Sequence, residues 1–108
     1  MLRAMSAIVE GELKNKTLHL LVKTPRLNAA SAREFKSGCQ HLLQPGVEFV
    51  VIDFRNVDSV DSSGVGALLS LYKYLPRETG QVTLLHVKPP VQSVVELLRL
   101  HRILQIQS

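Results

Sequence analysis

Along this chain, apolar positions fall into two rhythms, and the switches between them outline the fold. Met5 to Val9 and Thr17 to Lys23 read as two strands. The polar segment Gly11-Glu12-Leu13-Lys14-Asn15-Lys16 between them fits a hairpin connection. Asn28 then offers a helix N-cap, and apolar residues recur at Ala32, Phe35, Cys39 and Leu42, one face of a helix. Gln44-Pro45-Gly46 should stop it. Phe49-Val50-Val51-Ile52-Asp53-Phe54 is a near-continuous apolar run, as expected of a strand covered on both faces.

The second half repeats the alternation. Val65, Leu68, Leu69, Tyr72 and Leu75 form a helical stripe that Pro76 and Gly80 end. Gln81 to Val87 reads as another interior strand, and Pro89-Pro90 opens a third helix with Val91, Val94, Val95 and Leu98 as its buried stripe. The tail, Ile103 to Ile106, reads either as a short closing strand or as a frayed end. The predicted order is β-β-α-β-α-β-α, with an optional last β. It implies an α/β fold with a mixed sheet of four to five strands, parallel in the centre, and about three to four helices.

Composition narrows the class. With 108 residues and 45% hydrophobic content, residues 1–108 read as one domain with an ordinary core and no disordered tract. One cysteine, Cys39, cannot form an internal disulfide or a Cys-based zinc site, and its place on the first helical stripe makes it a core thiol. The longest apolar runs are strand-sized, too short for a signal peptide or a bilayer span, which points to a cytoplasmic chain with no membrane insertion. His19, His41, His86 and His101 fall in different elements without an i, i+4 pair, so no metal site is expected. His19 and His86 lie within predicted strands and read as structural; Tyr72 and Tyr74 read as helix packing and surface.

The formal charge of +4 and pI near 9.6 raise nucleic acid as a partner. The thirteen Lys and Arg are dispersed, however, and no aromatic residues interleave with them, so direct nucleic-acid binding is not supported.

Chemistry concentrates in residues 50–70. A strand ends at Asp53-Phe54, a polar turn follows, and Asp61-Ser62-Ser63-Gly64 opens a helix that Asp61 or Ser62 can cap. The plainest reading is a good cap, with Gly64 and Gly66 permitting close backbone packing. A phosphate cradle at Gly64-Val65-Gly66 lacks the Lys-Ser/Thr pair of a P-loop and the third glycine of a dinucleotide fingerprint. A receiver-like phosphoaspartate at Asp53 fails for want of an acidic pair after the first strand. Ser62 or Ser63 as a covalent switch survives: phosphate there adds about −1.5 to −2 charges beside Asp58 and Asp61, at a helix terminus that tolerates anions. With Asp53, Asp58 and Asp61 against Arg55 alone, this surface reads as locally acidic.

The segment Val60-Asp61-Ser62-Ser63-Gly64-Val65-Gly66-Ala67-Leu68, between a strand ending in Asp and a leucine-rich helix, resembles the STAS domain signature. Leu27-Asn28-Ala29-Ala30-Ser31-Ala32, Val82 to Val91 and Leu97 to Leu104 are similar to further parts of the same family. The resemblance implies a small anti-sigma factor antagonist, a switch and not an enzyme, with no cofactor of its own. Its partner would be an anti-sigma factor that is also a serine kinase, with a separate serine phosphatase to reset it. By position Ser62 would be the phosphoacceptor, and Asn28, Asp61, Ser63, Gly64 and Val65 would shape the docking surface. Pro25-Arg26 stands where the family often has a glycine and an acidic residue, and Asn28 replaces its aspartate, keeping the cap but removing a charge. The alternative is a constitutive scaffold subunit of a lipid-transport ATPase complex or a stressosome-like assembly, in which Ser62 would be only a cap.

Overall fold

The fold was described from a computed structural model covering residues 2–40 and 42–108; Met1 and His41 lie outside the described residues. Strands β1 (Leu2–Met5), β2 (Val9–Lys14) and β3 (Thr17–Val22) form an antiparallel meander. A short β4 (Arg26–Leu27) leads into helix α1 (Ala29–Gln40), then β5 (Phe49–Asp53), a short β6 (Ser59–Val60) and helix α2 (Ser62–Tyr74). Strand β7 (Gln81–Leu85), helix α3 (Pro89–Leu97), a 3-10 turn (Leu100–Arg102) and β8 (Leu104–Ile106) complete the chain. The main sheet runs β1-β2-β3-β5-β7-β8, and β4 pairs with β6 in a separate parallel bridge.

The α/β class, the three helices and the parallel centre match the sequence reading, but the main sheet has six strands instead of four to five. The start of the chain accounts for the difference. The segment from Gly11 to Lys14, read as a connection, is itself strand: Glu10, Glu12 and Lys14 lie on one face while Val9 and Gly11 are buried on the other. The true turn is Asn15-Lys16, with Asn15 at φ 57, a left-handed conformation that asparagine tolerates better than most residues. Residues 6–8 of the expected first strand form a turn instead, where the Ser6 hydroxyl accepts from the Ile8 and Val9 N–H groups at 3.2 and 3.1 Å.

Connection handedness decides which face of the sheet is covered. The crossovers β3-α1-β5, β5-α2-β7 and β7-α3-β8 all advance in one direction across parallel neighbours. Right-handed crossovers in a single direction put every helix on the same face. Burial follows: Leu18, Leu20 and Val22, Val50 and Ile52, and Val82 and Leu84 are buried, while His19, Leu21, Val51, Asp53 and Leu85 point to the open face. The Phe49–Phe54 run, expected to be covered on both sides, is therefore covered on one. Its outer residues Phe49 and Val51 are only half-buried, shielded by their sheet neighbours.

The helix stripes largely match the periodicity. Ala32, Phe35, Cys39 and Leu42 are buried, as are Val65, Leu68 and Leu75; Leu69 and Tyr72 of the expected stripe are only partly buried against the core, and Leu71, outside it, is buried instead. On α3, Val91 and Val95 are buried and Val94 packs against the core, but Leu98 is exposed. The helix ends at Leu97, Leu98 is its C-cap, and Leu100 turns inward in its place. The tail resolves as a strand, with β8 parallel to β7 from Val82↔Leu104 to Leu84↔Ile106.

Cys39 lies in the core between α1 and the sheet, and burial pushes its thiol up to about 12. A thiolate is the reactive form. Native protein at pH 8 is therefore expected to resist thiol-specific reagents, and Cys39 should label only on addition of denaturant. Rapid labelling of the native protein would place Cys39 outside the core.

Candidate functional site

The candidate site is built where the N-termini of α1 and α2 meet, at the edge of the sheet reached by the C-terminal ends of β3, β5 and β7. The β4/β6 bridge brings them together: Arg26 pairs with Ser59 and Leu27 with Val60. Its flanks are tied as well, Asp58 N–H donating to the Pro25 carbonyl at 2.7 Å and Asp61 N–H to the Leu27 carbonyl at 3.2 Å. Leu27 and Val60 are buried beneath the bridge, so the next residue of each strand, Asn28 and Asp61, emerges at a helix start.

Each helix is capped by its own first residues. The Asp61 Oδ1 accepts from Ser63 N–H at 2.9 Å and from Gly64 N–H at 3.1 Å. At α1 the cap is reciprocal. Asn28 Oδ1 accepts from Ser31 N–H at 3.3 Å, and Ser31 Oγ accepts from Asn28 N–H at 2.9 Å, a capping box with serine in the third position. Ser31 Oγ also donates to the Arg26 carbonyl at 2.7 Å, which locks β4 to the helix it precedes. The sequence reading passed over Ser31. Its signal was the Asn-x-x-Ser spacing, and its weight comes from being a buried hydroxyl with every bond satisfied.

The residues singled out from sequence divide into two groups. Asn28, Asp61, Ser62 and Ser63 are exposed and adjacent around the two helix starts. Gly64 and Val65 face inward, and their part is packing: a Cβ on Gly64 would collide with the Leu27 carbonyl oxygen and crowd the Val60 side chain. Close approach was expected at both Gly64 and Gly66, yet a Cβ on Gly66 would meet open space. Only Gly64 is required by the bridge.

The surface is also less acidic than the local sequence suggests. Asp53, at the end of β5, is 14% exposed and holds two side chains, the Arg55 guanidinium and the His86 imidazole. Arg55 reaches Oδ2 through Nε at 2.8 Å and through Nη2, while its backbone N–H donates to Oδ1 at 2.9 Å. His86 Nδ1 lies 3.0 Å from the same Oδ1. Asp58 is met by Lys88 Nζ at 2.6 Å, from a residue thirty positions away at the start of α3. Counting charges along residues 53–61 includes Arg55 but misses His86 and Lys88, because β7 and α3 bring them in. His86, expected inside a strand, ends β7 at φ 55 and holds Asp53 from outside the ladder. Partial burial pushes the Asp53 carboxyl up, but the bonds from the Arg55 side chain, its backbone and His86 outweigh that and hold it at about 2. Among the described residues no group of three or more His, Cys, Asp or Glu is placed to hold a metal ion.

The exposed hydroxyls of this one-sided α/β sheet thus sit at the meeting point of two capped helix starts. The STAS domain family matches this chain over residues 13–108, and the chain belongs to that family. A relative from Paenibacillus polymyxa named anti-sigma F factor antagonist is 32% identical over 59 residues, a match spanning 55% of this chain and about half of that protein. An anti-sigma-factor antagonist (STAS) domain protein from Planctomyces limnophilus superposes with a TM-score of 0.83 at 18% identity, covering 96% of this chain and 92% of the other. The Bacillus cell fate determinant SpoIIAA in its phosphorylated form superposes with a TM-score of 0.69 at 20% identity, covering 93% and 91%. Its unphosphorylated form gives 0.70 at 19%, covering 93% and 87%. These structures share the fold.

Two measurements test the construction of the site. Gly64→Ala is expected to lose about 1–3 kcal/mol in denaturant unfolding through overpacking against Leu27, whereas Gly66→Ala should gain up to about 1 kcal/mol from helix propensity alone. Equal effects would mean that the bridge does not need Gly64. For Asp53, a folded value near 2 against the ordinary 3.8 means its stabilisation is complete above about pH 4 and is lost as pH falls towards 2. Wild type should therefore lose more stability between pH 5 and pH 2.5 than Asp53→Asn. Parallel losses in both proteins would remove Asp53 from the account.

Proposed function

We propose that this chain is an anti-sigma factor antagonist. In its unphosphorylated form it binds an anti-sigma factor that is also a serine kinase, and phosphorylation of Ser62 releases it. The observation that carries the reading is the position of Ser62: exposed, first residue of α2, beside the α1 start, in a chain of this family. The name of the Paenibacillus relative supports the antagonist role, and the existence of SpoIIAA in phosphorylated and unphosphorylated forms supports a phospho-switch on this fold.

The electrostatics explain how such a switch works. Asp61 already satisfies the Ser63 and Gly64 N–H groups, so a phosphate on Ser62 lands beside a carboxylate and not in an empty anion site. The helix dipole offsets part of that repulsion, and both groups are in solvent, so the fold survives. A docked partner loses more, because about two negative charges would be desolvated against its surface. Asn28, Asp61 and Ser63 supply the exposed polar contacts of the docking surface, while Gly64 and Val65 hold its shape from beneath. ATP belongs to the kinase, a separate serine phosphatase restores the binding form, and the cycle runs in the cytoplasm. The chain acts as substrate and switch, not as an enzyme.

Incubated with its cognate kinase and ATP, the protein is expected to gain one phosphate by intact mass, and Ser62→Ala none. Ser62→Asp should keep the wild-type unfolding midpoint within a few degrees and bind the kinase at least tenfold more weakly. Unchanged phosphorylation of Ser62→Ala would remove the site, and wild-type affinity in Ser62→Asp would remove the charge mechanism.

A further inference from the structure

The formal excess of +4 is not spread over the molecule. At the sheet edge opposite Ser62 lie the β2–β3 hairpin, the end of α2 with its following loop, and the α3–β8 connection. This edge carries Lys14, Lys16, Lys73, Arg77, Arg99 and Arg102 against Glu48, Glu78 and Glu96. The remaining seven cations and six carboxylates of the chain nearly cancel, so most of the excess sits here. Lys16 pairs with Glu48 at 3.3 Å; the other five cations make no ion pair among the described residues.

Exposed apolar side chains gather at the same edge. Among the described residues the large hydrophobics left in solvent are Leu97 (80% exposed), Tyr74 (51%), Leu98 (50%), Ile103 (36%) and Met5. All but Met5 belong to the ends of α2 and α3 and the start of β8. Arg99 stands between Leu98 and Leu100 at φ 58, a position after a helix where glycine is the unstrained choice. Complementing the helix dipoles would account for cations here, but not for uncovered leucines beside them.

We propose that this edge docks on an anionic lipid bilayer. Leucine, isoleucine and tyrosine would enter the headgroup region while unpaired guanidinium and ammonium groups meet lipid phosphates. Nucleic acid would use the cations and leave the leucines in water. No helix among the described residues is long and apolar enough to cross a membrane, so the contact is peripheral. Because α3 runs from the site edge to the opposite edge, the Ser62 loop would face away from the lipid and remain open to its partner. The proposal does not depend on the phospho-switch.

The test is co-sedimentation of the whole chain with phosphatidylcholine vesicles, with and without phosphatidylglycerol. Binding is expected only to the phosphatidylglycerol vesicles, and it should weaken as salt rises. Arg99→Gly with Arg102→Gln should lower partitioning roughly thirtyfold, with a melting temperature equal to or above wild type because the strain at Arg99 is relieved. Leu97→Ser with Leu98→Ser should also abolish most binding, whereas Met5→Ser and Ser62→Asp should leave it intact. Three results would overturn the proposal: no preference for anionic vesicles, wild-type binding by either folded double variant, or loss with the arginines alone while the leucine variant binds normally. The last would assign the edge to a generic polyanion or an acidic protein.

Discussion

Right-handed crossovers, taken three times in one direction, leave the chain little choice about where its polar termini go. Each helix must return antiparallel to the strands on the same face, so all three point the same way. Their N-termini gather at one edge of the sheet and their C-termini at the other. The first edge needs caps and acceptors, and has Asn28, Ser31 and Asp61. The second favours cations, and holds the surplus of Lys and Arg. A single constraint of connection thus divides the molecule into a hydroxyl-bearing edge and a basic edge.

The first edge is rigid for reasons separable from any chemistry on Ser62. A two-residue parallel bridge is too short to be stable alone. It persists because Leu27 and Val60 are buried under it, Gly64 allows α2 to close on the Leu27 carbonyl, and Ser31 ties the bridge to α1. The exposed residues Ser62 and Ser63 take no part in those contacts beyond backbone bonds, which leaves them free to change charge. Nearby, Asp53 and Asp58 are held by Arg55, His86 and Lys88, which leaves Asp61, bonded to backbone N–H groups, as the carboxylate beside the serines. Under the proposed switch, a phosphate there would be a large relative change in the local field.

Much of this was readable from local pattern. The three helices and the central strands follow from periodicity and from Pro and Gly punctuation, whereas the tail fitted a closing strand and a frayed end alike, and the STAS resemblance rested on a contiguous stretch around Asp61-Ser62-Ser63-Gly64. Failures came where one residue's meaning depends on a distant one. Gly11 to Lys14 looked like a connection because its single apolar residue, Leu13, gives little alternation, yet β1 and β3 pair with it on both sides. Leu98 fitted the α3 stripe by spacing, but the helix stops one residue earlier and Leu100 fills the core. Gly64 and Gly66 look alike in sequence, and only the approach of Leu27 distinguishes them.

By itself, the sequence determined the class of fold, the order of its helices and central strands and the position of the hydroxyls at a helix start, since each is a local matter of spacing, capping and turn chemistry. Tertiary structure decided which sheet face is covered, that Asn28 and Asp61 are neighbours, that the acidic run is paired, and that most of the formal charge of +4 collects at one edge. Those properties arise from strand order and crossover direction, which bring together residues thirty or more positions apart. No window of local sequence contains them.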